Sequence, residues 1–191
     1  MLRAVCKLES VSPVKFSRPY RIVKEENETH DAHEERTWRE RGHYNDKEIA
    51  YIPGTMFKKS LEEAARFLGE KIQGRGNKTY FDFFMGGILI ENEQGIPIKV
   101  SKKKIIGDWV YVPSDGKRGG NRRVMKCFPS VAKWSGTLTV LILTDEINKE
   151  AFERHLKAAG LFIGVGMYRP IRGGDCGRFK VTSIKFSKVK N

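Results

Sequence analysis

The chain has 191 residues, 36 lysines and arginines against 23 acidic residues, and a formal charge of +13. Its length suits one domain spanning 1–191, with core enough to need no disulfide or metal staple. The charge selects polyanionic partners; the three cysteines form no CxxC pair and fit a reduced, cytoplasmic setting; and the apolar runs are too short for a signal peptide or a membrane span.

Leu2 to Leu8 alternates, with Leu2, Ala4, Cys6 and Leu8 on one side. That period of two predicts a strand with one face in the core. Ser12-Pro13 and Arg18-Pro19 then disfavour helix. Residues 24–48 differ in composition: nine carboxylates, His30, His33 and His43, and Trp38 as the one large apolar anchor before Tyr44. This stretch is expected to be an inserted acidic arm, with a short helix around Ala32–Arg41.

Tyr51-Ile52-Pro53-Gly54-Thr55 turns into the strongest predicted helix, with Thr55 as its N-cap. Met56, Phe57, Ser60, Leu61, Ala64, Ala65 and Leu68 recur at helical spacing. Lys58 and Lys59 occupy its first turn, where the helix dipole disfavours cations, and are read as phosphate contacts. Residues 74–126 are predicted as central strands with basic loops. The strands are Ile88–Ile90, Ile96–Val100 with Pro97 marking an edge, Asp108–Val112 and Val124–Pro129. The loops carry Arg75 and Lys78; Lys102, Lys103 and Lys104; then Lys117, Arg118, Arg122, Arg123 and Lys126.

Ser135–Leu143 is a β-branched and aliphatic strand. Thr144 or Asp145 is expected to cap a helix whose stripe is Ile147, Ala151, Phe152, Leu156 and Ala159, with Gly160 as C-cap. A glycine-arginine loop, Gly164 to Arg178, precedes a last strand, Phe179–Phe186. Gly164, Gly166, Gly173 and Gly174 are expected to turn backbone N–H groups toward an anion. Arg169, Arg172 and Arg178 add forked donors. Tyr168 joins Trp38, Trp109 and Tyr111 as a base-stacking candidate. Charge for a backbone and rings for splayed bases is the pairing that single-stranded nucleic acid requires.

Other chemistries find less support. Gly164-Val165-Gly166 lacks the third glycine of a dinucleotide fingerprint, and no Walker A run exists. His30-x-x-His33 matches no tetrahedral zinc pattern, and no paired acidic motif argues for a two-metal nuclease. No metal, cofactor or catalytic residue is expected.

Two segments resemble a family. Tyr51-Ile52-Pro53-Gly54-Thr55-Met56-Phe57-Lys58-Lys59-Ser60-Leu61 is similar to the "IPGS...RGALR" stretch of the Cas7-like proteins, in the RAMP superfamily of CRISPR systems. Lysine stands here where the family places arginine. The loop from Gly164 to Phe179 resembles that superfamily's glycine-rich loop. The resemblance implies an α+β fold: a ferredoxin-like, RRM-related core with an antiparallel sheet, two main helices and an inserted arm. It also implies that Lys58, Lys59 and Arg169 face nucleic acid. Together these readings predict a non-catalytic protein that coats single-stranded DNA as a homo-oligomer through a basic groove, as in a phage or mobile element. The alternatives are a guide-RNA-binding subunit of a CRISPR-type effector and a metal-dependent nuclease.

Overall fold

The structure, a computed structural model, describes residues 1–92, 94–114 and 122–189. In chain order the elements are β1 (Leu2–Ser10), β2 (Val14–Lys15), α1 (His30–Thr37), β3 (Ile49–Ile52), α2 (Gly54–Leu68), α3 (Phe81–Gly86), β4 (Ile88–Ile90), β5 (Ile96–Ser101), β6 (Ile106–Pro113), β7 (Arg123–Val131), β8 (Ser135–Ile142), α4 (Lys149–Ala158) and β9 (Phe179–Lys188).

The main sheet has the order β4-β8-β1-β9 and is antiparallel throughout. Alternation in β1 fixes its register. Ala4, Cys6 and Leu8 are buried, with Ala4 opposite Val140 and Cys6 opposite Leu138. A one-residue slip would turn that whole set to solvent. The chain goes β1–α2–β4 with β8 inserted between the two strands, and β8–α4–β9 with β1 inserted. Two interleaved split βαβ units of this kind are the ferredoxin-like arrangement, as expected from the sequence.

Helices α2 and α4 cover one face of that sheet. Phe57, Leu61, Ala64 and Ala65 of α2 are buried, as are Ala151, Phe152 and Leu156 of α4. Full burial of a ring such as Phe57 stabilises by about 1.5–3 kcal/mol. Phe57, Trp134 and Phe179 meet mutually, with centroids 5.6–6.1 Å apart. This triangle joins the start of α2 to the start of β9.

The helix ends differ from expectation. Helix α2 begins at Gly54 behind Pro53, so Thr55 is not its cap; it ends on Gly69 at φ 59, whose N–H donates to the Ala65 carbonyl. Asn148, not Thr144 or Asp145, caps α4 by accepting from the Ala151 N–H. Gly160 does not stop α4 either. The helix runs on through a π-helical turn, Ala159–Ile163, to Gly164 at φ 76. A Cβ at Gly160 would collide with the Phe179 carbonyl, so this glycine serves close packing.

The insertions add a three-stranded sheet, β2-β7-β6, and a two-stranded one, β3-β5. The strands within 74–126 are therefore divided among three sheets. Thr79–Phe84, aromatic in sequence, leads into the short helix α3. Buried side chains from all three sheets and from Trp38 of the arm form one hydrophobic cluster. Among the described residues, no helix is long and apolar enough to cross a membrane.

Candidate nucleic-acid interface

The π-helical turn places the glycine-arginine loop beside the start of α2. The Ser60 hydroxyl donates to the Ala159 carbonyl at 3.4 Å. Glu63, one turn on from Lys59, receives Arg169 at 3.0 Å and Arg172 at 3.5 Å. Residues four apart share a helix face, so Lys59, Glu63, Arg169 and Arg172 form one strip. Lys58 lies in the same turn. Arg178 donates to the Leu161 carbonyl and lies 3.3 Å from Asp175.

The loop glycines do not form the expected anion nest. The N–H groups of Gly164, Gly173 and Gly174 donate to the carbonyls of Ala159, Pro170 and Arg169. Those donors are used inside the fold. Gly166, at φ 80, instead lets the loop lie against the Lys15 carbonyl. Gly177 is tighter still: at φ 77, its missing Cβ leaves room for the Val165 carbonyl.

Tyr168 is half-buried at φ 54, not exposed. Its ring stands edge-on to Phe128 at 5.8 Å, and the Lys15 ammonium lies 5.3 Å from its centroid. Burial pushes the Tyr168 phenol up, against the pull of Lys15. Burial works against charge on Lys15, but its hydrogen bond to Asp108 together with the nearby Cys176, Asp108 and Tyr168 outweighs this and raises its pKa. Nothing in the sequence pointed to Lys15, because its partners are distant in the chain.

The arm is anchored by one buried carboxylate. Glu34 is 1% exposed. It receives Arg41 at 3.0 Å, Lys126 at 2.9 Å and the Cys127 N–H at 2.9 Å. Burial drives its pKa up, and these three donors more than reverse the effect. Glu28 likewise holds Arg36 and His33, and Glu40 holds Lys102. Glu28, Glu34 and Glu40 therefore neutralise cations of their own chain, while Glu26, Asp31, Glu35, Asp46 and Glu48 are exposed.

The expected basic residues fall into separate groups rather than one groove. Lys58, Lys59, Arg169 and Arg172 gather as described. Arg75 pairs with Glu146 ahead of α4, and Lys78 is in the same turn. These two lie beyond the far end of α2, whose 15 residues span about 22 Å. Lys102, Lys103 and Lys104 occupy the turn between β5 and β6, next to the arm. Lys126, Arg123 and Arg122 climb the β6–β7 hairpin, with Arg123 about 17 Å along the strand from Phe128. Lys117 and Arg118 lie outside the described residues. Strand and helix lengths explain the dispersal: loops at opposite ends of a sheet cannot converge.

Of the ring candidates, Trp38 is 7% exposed and belongs to the core. Trp109 and Tyr111 are exposed on β6, and share a notch with Met125 and the arm carboxylates Asp31 and Glu35. His43 is held between Phe16 and Tyr51, and burial, with nearby Arg18, lowers its pKa to about 4. Among the described residues, no three His, Cys, Asp or Glu side chains are grouped to hold a metal.

No family model and no curated protein matches the sequence. Solved structures do match. One is a chain of the type III-B Cmr-beta complex bound to cognate target RNA, determined by cryo-EM, with a TM-score of 0.54 and 10% identity. The match covers 98% of this chain and 61% of that one, so this chain spans under two thirds of its length. Another is Cmr6 from Pyrococcus furiosus, with a TM-score of 0.45 and 15% identity over 95% of this chain and 99% of that one. At such identities the likeness is one of fold. At that level the chain is similar in fold to the Cmr-beta chain.

Proposed function

We propose that this chain binds single-stranded RNA, without chemistry of its own, as a subunit of a CRISPR-type effector assembly in the cytoplasm. The observation that carries this reading is the likeness of fold, across 98% of the chain, to a chain from an assembly bound to target RNA. The formal charge of +13 supports it. The comparison favours RNA over the coating of single-stranded DNA, and neighbouring subunits over a filament of identical copies. The whole chain acts as one domain, with 24–48 as its inserted arm. The contact surface is centred on Lys58, Lys59, Arg169 and Arg172.

Fluorescence anisotropy with single-stranded RNA, single-stranded DNA and duplex, each at two salt concentrations and with magnesium, tests this. Tightest binding to single-stranded RNA is expected, with the oligonucleotide intact. Log affinity should fall with log salt at about 0.7 per phosphate contact. Equal or tighter binding to single-stranded DNA would restore the coating reading. Magnesium-dependent cleavage would turn it into an enzyme.

A further inference from the structure

A cleft of about 630 Å³ opens between the end of β1, the outer side of β5 and the turn from β7 into β8. None of the cations singled out above lines it. Its own cations are Lys99 and Lys133, both exposed. Neither forms an ion pair among the described residues, whereas Glu9, paired in register with Ser135, is held by Lys180 at 3.0 Å. Val11 and Pro97 add exposed apolar surface.

Trp134 forms part of the wall and is 5% exposed. Its main chain is fixed: its N–H donates to the Ser10 hydroxyl and its carbonyl accepts the Ser10 N–H. Its indole Nε1 is enclosed and has no hydrogen-bond partner. A buried donor left without an acceptor costs about 1–3 kcal/mol, and such a group calls for an explanation. This indole packs on Phe57 and Phe179. The cleft therefore lies at the end of the sheet where Lys58 and Lys59 begin α2.

Two cations, an apolar wall and an unsatisfied donor, in a volume typical of ligand sites, match one chemical class. We propose that this cleft seats one nucleotide unit of a single RNA strand. Lys99 and Lys133 hold its phosphate, Val11 and Pro97 face its base, and the Trp134 indole backs the wall. From there the strand continues over Lys58 and Lys59. The inference rests on the RNA reading above and assigns that reading a place.

The test uses the full chain in two measurements. In the first, anisotropy with single-stranded RNA compares wild type, Lys99→Glu/Lys133→Glu, and a matched control, Lys71→Glu/Lys149→Glu, at the opposite end of the helices. The cleft variant should lose affinity at least tenfold more than the control. Its salt slope should drop by about 0.7, the value for one single-strand phosphate contact. Equal losses in the two variants would overturn the site while leaving the RNA reading intact. The second measurement titrates adenosine monophosphate and, separately, inorganic phosphate, followed by NMR. Adenosine monophosphate should shift the Trp134 indole N–H and the Lys99 and Lys133 amides, whereas phosphate alone should leave the indole unmoved. If wild type binds no RNA, the RNA reading fails and this titration decides the cleft alone. Unshifted cleft resonances would overturn the proposal.

Discussion

Glu34 shows how much a single side chain holds in place. Its carboxylate joins the arm to the β6–β7 hairpin through Arg41, Lys126 and a backbone N–H. Glu34→Ala would strand the Arg41 charge, 12% exposed, with no counter-ion. Breaking such a pair costs about 3–5 kcal/mol. Urea denaturation should show that loss, and limited proteolysis should cut within 24–48 in the variant but not in wild type. A second residue-scale prediction concerns acid. His43 has a folded pKa of about 4 against an ordinary 6.5. Below pH 6.5 the unfolded chain binds a proton that the folded chain refuses, so stability falls from pH 6.5 down to 4. The loss is on the order of 1–2 kcal/mol after solvent screening. His43→Phe, which keeps the ring contacts, should flatten the urea midpoint across that window; an unchanged slope would remove His43 as the cause. The sequence displayed these residues as an acidic, histidine-rich tract. It did not display their partners, because ion pairs between positions 34 and 126 leave no local periodicity.

At the scale of elements, local pattern and long-range contact divide the outcome. The stripe of Phe57, Leu61, Ala64 and Ala65 repeats every three or four residues, and α2 follows it. The β1 alternation was equally readable. Caps were not, since Thr144, Asp145 and Asn148 all have capping oxygens and local sequence does not rank them. The continuation of α4 through Gly160 also lay beyond local reasoning; it depends on the Phe179 backbone approaching from β9. The glycine-arginine loop was legible as a loop, while its internal carbonyl acceptors were not. Gly177→Ala tests how tightly it is closed. The substitution forces a methyl group against the Val165 carbonyl at a φ of 77. Backbone strain alone contributes about 1–3 kcal/mol. Thermal unfolding should reveal a larger loss than Gly173→Ala, where φ is also positive but a Cβ meets nothing within 4 Å.

At the scale of the molecule, the order β4-β8-β1-β9 divides the cations between two ends. Composition displays a total charge and says nothing of this division. Predicted strands gave the fold class because each strand's pattern is local, whereas the meeting of loops depends on strand direction. Lys99 and Lys133 were passed over for the same reason: 34 positions apart, they share a cleft only after β5 and the β7–β8 turn have been placed. Glu28, Glu34 and Glu40 of the arm already bind cations within the same copy, and the net +13 of the chain repels identical neighbours. Light scattering at low salt should therefore find monomers without nucleic acid and larger species once RNA is added. Stable oligomers in nuclease-treated protein would refute this.

The ring triangle of Phe57, Trp134 and Phe179 has a mechanical corollary. Close-packed interiors have little slack and transmit strain. An indole nudged by an occupant of the neighbouring hollow would press on the root of one helix and the first residue of the last strand together. Loading should thus stiffen both, and amide exchange around Met56–Ser60 and Phe179–Val181 should slow in concert.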